Sequence, residues 1–201
     1  LNLSNLYHTW EYSKESMRGK SELVKKNSAN QTNSGLDRDY ITQWSYGVDE
    51  TLTLLIPNAK GGASVPMVMS ETAMEHADNN YLPLYQQIGQ YWGEQPGTSG
   101  PVYVGAFVMF LFVLGLFIVK GPLKWALLAA TILSVLLSWG RNFMPFTDFF
   151  IDYVPMYAKF RTVASILVIA EFTIPLLAML ALKQIAERRE LLTEKIKFVY
   201  V

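Results

Sequence analysis

Long apolar runs in the second half of the chain dominate its hydrophobic pattern. Residues 102–119 contain no charged side chain, residues 123–139 contain only Lys124, and residues 162–182 contain only Glu171. An α-helix rises about 1.5 Å per residue, so about 20 apolar residues cross a hydrocarbon core of about 30 Å. The amine of a lysine near a helix end can extend to the interface. We therefore predict three transmembrane helices over these ranges; three buried helices of a large soluble protein are the alternative.

Basic residues set the expected orientation of these helices. The loop 120–124 carries two lysines and no acid, and the segment 183–201 carries five Lys or Arg residues. The positive-inside rule places both segments in the cytoplasm. Residues 1–100 and the loop 140–161 are then expected outside. Residues 1–100 precede a transmembrane region over 101–182, and the loop 140–161 interrupts that region. The segment 183–201 is expected to be a cytoplasmic basic helix with the start of a further span.

Shorter apolar patterns occur in the segments expected outside. Leu3 to Trp10 follow helical spacing, and apolar residues recur on one helical face from Tyr81 to Trp92. The loop 140–161 holds seven aromatic residues, and aromatic rings favour the membrane interface. We predict interfacial helices in residues 1–100 and an interfacial loop over 140–161. The expected fold class is mainly α, as a polytopic α-helical membrane protein.

Composition excludes several classes of protein. The chain has 17 basic and 17 acidic residues, so it lacks the positive charge of a typical nucleic-acid binder. The absence of Cys excludes a disulfide framework and a thiol nucleophile, and two histidines are too few for a His-rich metal site. The charge is uneven, because residues 1–100 hold 7 basic and 11 acidic groups whereas residues 101–201 hold 10 and 6. The acidic half is therefore the half expected outside.

The ends of the sequence suggest an internal piece of a longer membrane protein. The first residue is Leu rather than Met, no signal peptide precedes the first apolar run, and the last residues, Phe198–Val201, are apolar. We expect further spans of the same chain, together with the bilayer, to be the partners of the apolar faces.

Several short motifs follow one another along almost the whole chain. They are Asp37–Tyr40, Trp44–Gly47 with Glu50, Leu55–Asn58, Gly61–Gly62, Gly97–Gly105, Ser138–Asn142 and Pro155–Arg161. Their order and spacing resemble those of the YfhO-type family of bacterial membrane proteins. The resemblance implies a glycosyltransferase of the C-type fold in the bacterial cytoplasmic membrane, which takes sugar from a polyprenyl-phosphate carrier at the outer face. In such folds the catalytic acid lies in the first outer loop, so the resemblance also implies that these residues lack a complete active site.

Two arginines beside the apolar runs, Arg141 and Arg161, are the candidate phosphate ligands. Both are expected at the outer boundary of the membrane, and a planar guanidinium matches phosphate oxygens. A helix beginning near Thr162 would add its positive N-terminal end beside Arg161. The alternative is that the arginines pair with Asp148 and Asp152 or with lipid headgroups.

Carboxylates and rings in the first half are candidate ligands of the sugar and its acceptor. Asp37, Asp39 and Glu50 could hold the acceptor hydroxyl or a divalent cation, the one cofactor that the sequence suggests. Trp44, Tyr46 and Tyr40 could stack on sugar faces. The alternatives are a solvated turn for the carboxylates and packing or interface anchoring for the rings. Thr131, Ser134 and Ser138 form a separate polar stripe on the second run, which predicts a helix–helix contact.

Glu171 is an intramembrane polar residue in the third run. An ionised carboxylate there must be protonated, paired or turned to a polar cavity, and Pro175 has no N–H to donate to the Glu171 carbonyl. A gate or a proton relay is one interpretation, and a hydrogen bond to a neighbouring span is another. Glu171 therefore keeps a transporter or flippase component open as an alternative function, and a non-catalytic membrane assembly protein is a further one.

Overall fold

The computed structural model describes residues 2–16, 32, 36–100 and 102–187, and these residues are mainly helical. The α-helices are α1 Leu3–Ser13, α2 Arg38–Ile41, α3 Glu71–Met74, α4 Leu82–Gln87, α5 Ala106–Ile118, α6 Leu123–Ser138, α7 Met144–Tyr153 and α8 Val168–Glu187. The 3-10 helices are Asp49–Leu54, Met67–Met69, Asn79–Tyr81, Gly140–Phe143, Tyr157–Lys159 and Val163–Leu167. Two strands, β1 Gly61–Pro66 and β2 Gly89–Tyr91, form an antiparallel pair with Gly61 opposite Tyr91. The predicted cytoplasmic helix is therefore described only as far as the end of α8.

Contacts divide the chain into two units. The first unit comprises Leu1–Tyr46 and Leu136–Ser165, and the second comprises Gly47–Val135 and Ile166–Val201. This grouping follows packing, whereas the predicted boundary at residue 100 concerns sidedness across a membrane and stays a prediction.

One helical stretch of the described residues is long and apolar enough to cross a membrane. The stretch Val163–Glu187 has 25 residues, and its most apolar window has a mean hydropathy of 2.3, with 39% of it buried. Within the described residues, a second candidate is formed by α6 together with the helical stretch Gly140–Tyr153 that follows it. The two are bent relative to each other, so they count as a candidate only if they form one broken span. By length and composition the third predicted span is thus the best supported, and a set of three spans stays a prediction.

The first predicted span is shorter than its apolar run. Helix α5 has 13 residues, about 20 Å at the usual rise. Gly105 precedes it with a φ of 106°, and Val104 N–H donates to the Leu54 carbonyl at 3.3 Å. At the other end Val119 has an extended backbone, with a φ of −72° and a ψ of 129°, so both ends of the apolar run leave helical geometry. The expected helix over residues 102–119 is therefore trimmed at both ends.

Small and hydroxylated residues hold the helices of the second unit together. A Cβ at Gly115 of α5 would lie 3.0 Å from Leu177 Cγ of α8, so the glycine permits the close approach. The Thr131 and Thr173 hydroxyls are 2.7 Å apart, and Ser134 Oγ donates to the Ile166 carbonyl at 2.7 Å. The predicted helix–helix contact of the polar stripe is confirmed at Thr131 and Ser134.

The helix predicted to continue to Trp92 ends earlier. Helix α4 stops at Gln87, and Gly89–Tyr91 pairs with β1 instead. Met67 N–H donates to the Ile88 carbonyl at 2.8 Å, which begins this pairing. Pairing across the chain outweighs the local helical spacing of the apolar residues, because spacing alone is a weak prior.

Backbone hydrogen bonds join the two segments of the first unit. Leu36 N–H donates to the Ala158 carbonyl at 2.8 Å, and Tyr46 N–H donates to the Ser138 carbonyl at 2.8 Å. A buried apolar cluster lies between the segments, comprising Leu36, Ile41, Ile151, Ala158 and Val163. These contacts bring residues 36–46 against the aromatic segment 140–161.

The aromatic segment 140–161 is largely helical. Its rings form a chain of contacts in which Phe143 and Phe146 lie 5.5 Å apart, Phe146 and Phe150 5.0 Å, and Phe150 and Tyr157 5.7 Å between ring centroids. Aromatic pairs at such distances stabilise packing beyond their buried area. Gly140, with a φ of 45°, begins the segment where a Cβ would collide with Ser45 Oγ and Val163.

We expect the ion pairs of Arg38 to stabilise the first unit. Arg38 Nε donates to Asp148 at 3.0 Å and Arg38 Nη2 donates to Asp152 at 2.6 Å, with both aspartates about two-fifths exposed. Solvent screening limits such pairs, so Arg38→Met should lower the free energy of unfolding by about 1 kcal/mol. Equilibrium unfolding in detergent measures the change, and Arg38→Lys should recover part of it. An Arg38→Met protein as stable as the wild type would contradict this account.

Candidate functional site

An open cavity of about 700 Å³ lies in the first unit. It is lined by Asp37, Asp39, Tyr40, Thr42, Gln43, Arg141 and Met144. Asp37 caps α2, because its Oδ1 accepts a hydrogen bond from Asp39 N–H at 2.9 Å. This cap fixes the turn from which both exposed carboxylates reach the cavity. The predicted ligands Asp37 and Asp39 therefore share one site.

Hydrogen bonds to the Ser45 side chain and the Tyr46 backbone place Arg141 at the same cavity. Ser45 Oγ accepts a hydrogen bond from Arg141 N–H at 2.9 Å, and Asn142 Nδ2 donates to the Tyr46 carbonyl at 2.9 Å. These bonds hold the 3-10 turn Gly140–Phe143 in place. Three of the predicted substrate ligands thus come together from segments about 100 residues apart.

Arg161 contacts the cavity lining through Tyr40. Its Nη1 donates to the Tyr40 hydroxyl at 2.7 Å, and its guanidinium carbon lies 4.9 Å from the centre of the Tyr40 ring. Arg161 itself is exposed. The helix expected to begin near Thr162 does begin beside it, because Thr162, with a φ of 73°, is followed by the 3-10 helix Val163–Leu167, which continues into α8 from Val168.

Asp148 and Asp152 pair with Arg38 rather than with Arg141 or Arg161. The expected alternative partners, Arg141 and Arg161, are therefore wrong, and Arg38 was not among the candidates. The two aspartates lie four residues apart on α7, so they project from one face of the helix toward a single bidentate cation. That spacing is the signal that pointed to an arginine, although it could not say which one.

Glu50 is enclosed by the second unit instead of facing a substrate. Its side chain is 2% exposed and accepts hydrogen bonds from Gly47 N–H at 2.6 Å, from Glu94 N–H at 3.4 Å and from the Tyr91 hydroxyl. Burial, and then the hydrogen bond to Glu50, raises the pKa of the Tyr91 hydroxyl. Glu50 thus ties a 3-10 helix to the turn after β2, and its predicted role as a substrate or metal ligand has no support in this arrangement.

Of the three predicted stacking residues, Trp44 and Tyr46 do not line the cavity. Tyr46 is 2% exposed, so no face of its ring is open to a sugar. The indole N–H of Trp44 is buried and has no hydrogen-bond partner within the described residues. Tyr40 is the aromatic residue that does line the cavity.

Two further predictions concern a divalent cation and the position of Glu171. Across residues 2–16, 32, 36–100 and 102–187, no three His, Asp or Glu side chains are grouped closely enough to hold a metal ion. Glu171 lies on α8 with an exposed side chain, outside the cavity.

Comparison with family models, with curated proteins and with solved structures gives no match. The resemblance to the YfhO-type family accordingly stays a hypothesis that the motifs alone support.

Proposed function

We propose that this chain is part of an integral membrane glycosyltransferase that uses a polyprenyl-phosphate-linked sugar at the outer face of a bacterial cytoplasmic membrane. The cavity of the first unit is the proposed binding site for the phosphate-linked sugar. The observation that carries this proposal is the meeting of Asp37, Asp39, Tyr40 and Arg141 around one open cavity of about 700 Å³.

The chemistry of the lining suits a phosphorylated, polyhydroxylated ligand. Carboxylates such as Asp37 and Asp39 accept hydrogen bonds from sugar hydroxyls, which are good donors. The guanidinium of Arg141 presents paired N–H donors to phosphate oxygens. Arg161, stacked on Tyr40, brings a second guanidinium to the rim of the cavity. Arginines that stabilise developing phosphate charge are a usual means of lowering the barrier to transfer.

The membrane location is proposed on the helical stretch Val163–Glu187. An 18-residue window of it is strongly apolar, yet only 39% of that window is buried within the protein. Apolar helical surface of this extent is costly in water and favourable in hydrocarbon. The three-span arrangement, with residues 1–100 outside, is part of the same proposal.

Labelling of single cysteines tests the proposed orientation. The chain contains no native Cys, so each introduced thiol is the only one. Asn80→Cys should react with a membrane-impermeant maleimide in intact cells, whereas Pro122→Cys should react only after the membrane is opened, because both positions are exposed and are expected on opposite sides. The reverse labelling pattern would contradict the orientation.

A transfer assay tests the proposed function itself. Membranes containing the protein are supplied with labelled polyprenyl-phosphate sugars, and sugar transfer is measured for the wild type and for Asp39→Asn. The variant should lose part of its sugar transfer, because the amide keeps one acceptor oxygen for sugar hydroxyls but loses the charge that strengthens those hydrogen bonds. Glu75→Gln, an exposed carboxylate outside the cavity, is the matched control and should retain it. Movement of the labelled lipid across the bilayer without any transfer would favour a transporter or flippase instead.

A further inference from the structure

One face of α8 is uncovered within the described residues. Its most exposed apolar side chains are Val168 at 61%, Phe172 at 67% and Met179 at 63%. These positions are separated by four and seven residues, so they lie on one side of the helix. The opposite side packs against α5 and α6, through Leu177 beside Gly115 and Thr173 beside Thr131.

Glu171 lies on the uncovered face. It comes three residues after Val168 and directly before Phe172, and its side chain is exposed. No hydrogen bond or ion pair joins it to any residue of the described ranges. The hydroxyl of Thr173 already pairs with Thr131 on the covered side.

The backbone at Glu171 also lacks its usual intrahelical donor. In an α-helix the carbonyl of residue 171 accepts from the N–H of residue 175, but residue 175 is a proline inside α8. One position therefore presents both a carboxylate and a carbonyl that lacks the N–H donor of a regular α-helix. A cation with several N–H donors satisfies both acceptors, and it neutralises the charge that hydrocarbon disfavours.

We propose that this face, defined by Val168, Glu171, Phe172 and Met179, binds a transmembrane helix that carries a basic side chain at the depth of Glu171. Charge complementarity selects this partner over a purely apolar helix, since apolar packing alone leaves the carboxylate unpaired. The proposal rests on the membrane location proposed above, but it does not involve the cavity. Loss of sugar transfer and loss of helix association can therefore be told apart.

Energy transfer in lipid vesicles tests the proposal with synthetic helices. The whole chain, labelled at Asn80→Cys, is placed in phosphatidylcholine vesicles with a labelled transmembrane peptide of leucine and alanine. Two versions of this peptide are tested separately: one carries a single central lysine, and the other carries leucine at that position. We expect the protein to bind the lysine peptide about three- to tenfold more tightly than the leucine peptide, in line with polar contacts between membrane helices.

Variants of α8 identify the residue responsible. Glu171→Leu should abolish the preference for the lysine peptide, and Glu171→Gln should retain part of it because the amide still accepts a hydrogen bond. Glu187→Gln changes the other glutamate of α8, which pairs with Lys183 at 3.9 Å, and should leave the preference intact. Equal binding of both peptides by the wild type, or a preference that survives in Glu171→Leu, would overturn the proposal. Glu171-dependent association of two labelled protein copies without peptide would also overturn it and identify a second copy as the occupant.

Discussion

Replacing Glu50 with alanine should lower the free energy of unfolding of the second unit by about 3 kcal/mol. The substitution removes a buried carboxylate that accepts from Gly47 N–H, Glu94 N–H and the Tyr91 hydroxyl. It leaves these donors without their partner, at a buried position for Gly47 N–H and at part-buried positions for the other two. Charge-assisted hydrogen bonds contribute more than neutral ones, and each stranded buried donor adds a cost of about 1–3 kcal/mol.

Two further variants separate this role from a general loss of charge. Gly93→Ala should also destabilise the unit, because its Cβ would collide with Glu50 Oε1 and the Tyr91 hydroxyl. Asp49→Asn removes an exposed carboxylate one residue away, paired with Lys60 at the surface, and should change stability little. Equilibrium unfolding in detergent measures all three, and a Glu50→Ala protein as stable as Asp49→Asn would contradict the structural role of Glu50.

Replacing Arg141 with alanine should reduce sugar transfer by about 100- to 1000-fold, the usual effect of removing one donor that stabilises transition-state charge. Arg141 is the guanidinium that lines the cavity. Arg141→Lys retains the charge but loses the paired donors, so we expect an intermediate rate. Arg161→Ala should cost less than Arg141→Ala, because Arg161 contacts the cavity only through Tyr40.

Lys159→Ala is the matched control for loss of a cation. Lys159 belongs to the same aromatic segment but does not line the cavity, so its replacement should leave transfer unchanged at equal expression. Stability in detergent is measured for each variant alongside transfer, and the bond that anchors residue 141 to Ser45 should persist in the Arg141 variants, since it comes from the backbone N–H. Wild-type transfer by Arg141→Ala would remove this arginine from the proposed site.

The parts of the fold that depend on composition were predictable from the sequence. The helical stretch Val163–Glu187 follows directly from a run of apolar residues, because hydrophobicity over a long window is insensitive to distant contacts. The contacts of Thr131 and Ser134 were also predictable, since hydroxyl groups spaced along one face of an apolar helix require partners.

The parts that depend on distant pairing were not predictable. The short strand at Gly89–Tyr91 forms because β1 is available to pair with it, and the local helical spacing of its side chains gave no sign of that. The choice of Arg38 as partner of Asp148 and Asp152 depends on a tertiary contact over more than 100 residues.

The candidate site shows the same division. Asp37, Asp39, Arg141 and Arg161 were identified as chemically suitable residues, but only the fold shows which of them line one cavity. Glu50 carries the same functional group as the two aspartates, and burial decides its different role. Tyr40 belonged to a recognised motif, yet its position between Arg161 and the cavity is a tertiary feature.

Photochemical crosslinking of a polyprenyl-phosphate sugar tests the proposed site most directly. The lipid carries a photoreactive group on its sugar, the protein is in membranes, and mass spectrometry identifies the labelled peptides. We predict labelling within residues 37–43 and 141–144, the two segments that line the cavity. Excess unlabelled polyprenyl-phosphate sugar should compete, whereas the corresponding polyprenyl alcohol should not. Labelling confined to other segments, or labelling that the alcohol displaces equally well, would contradict the assignment of this cavity to a phosphate-linked sugar.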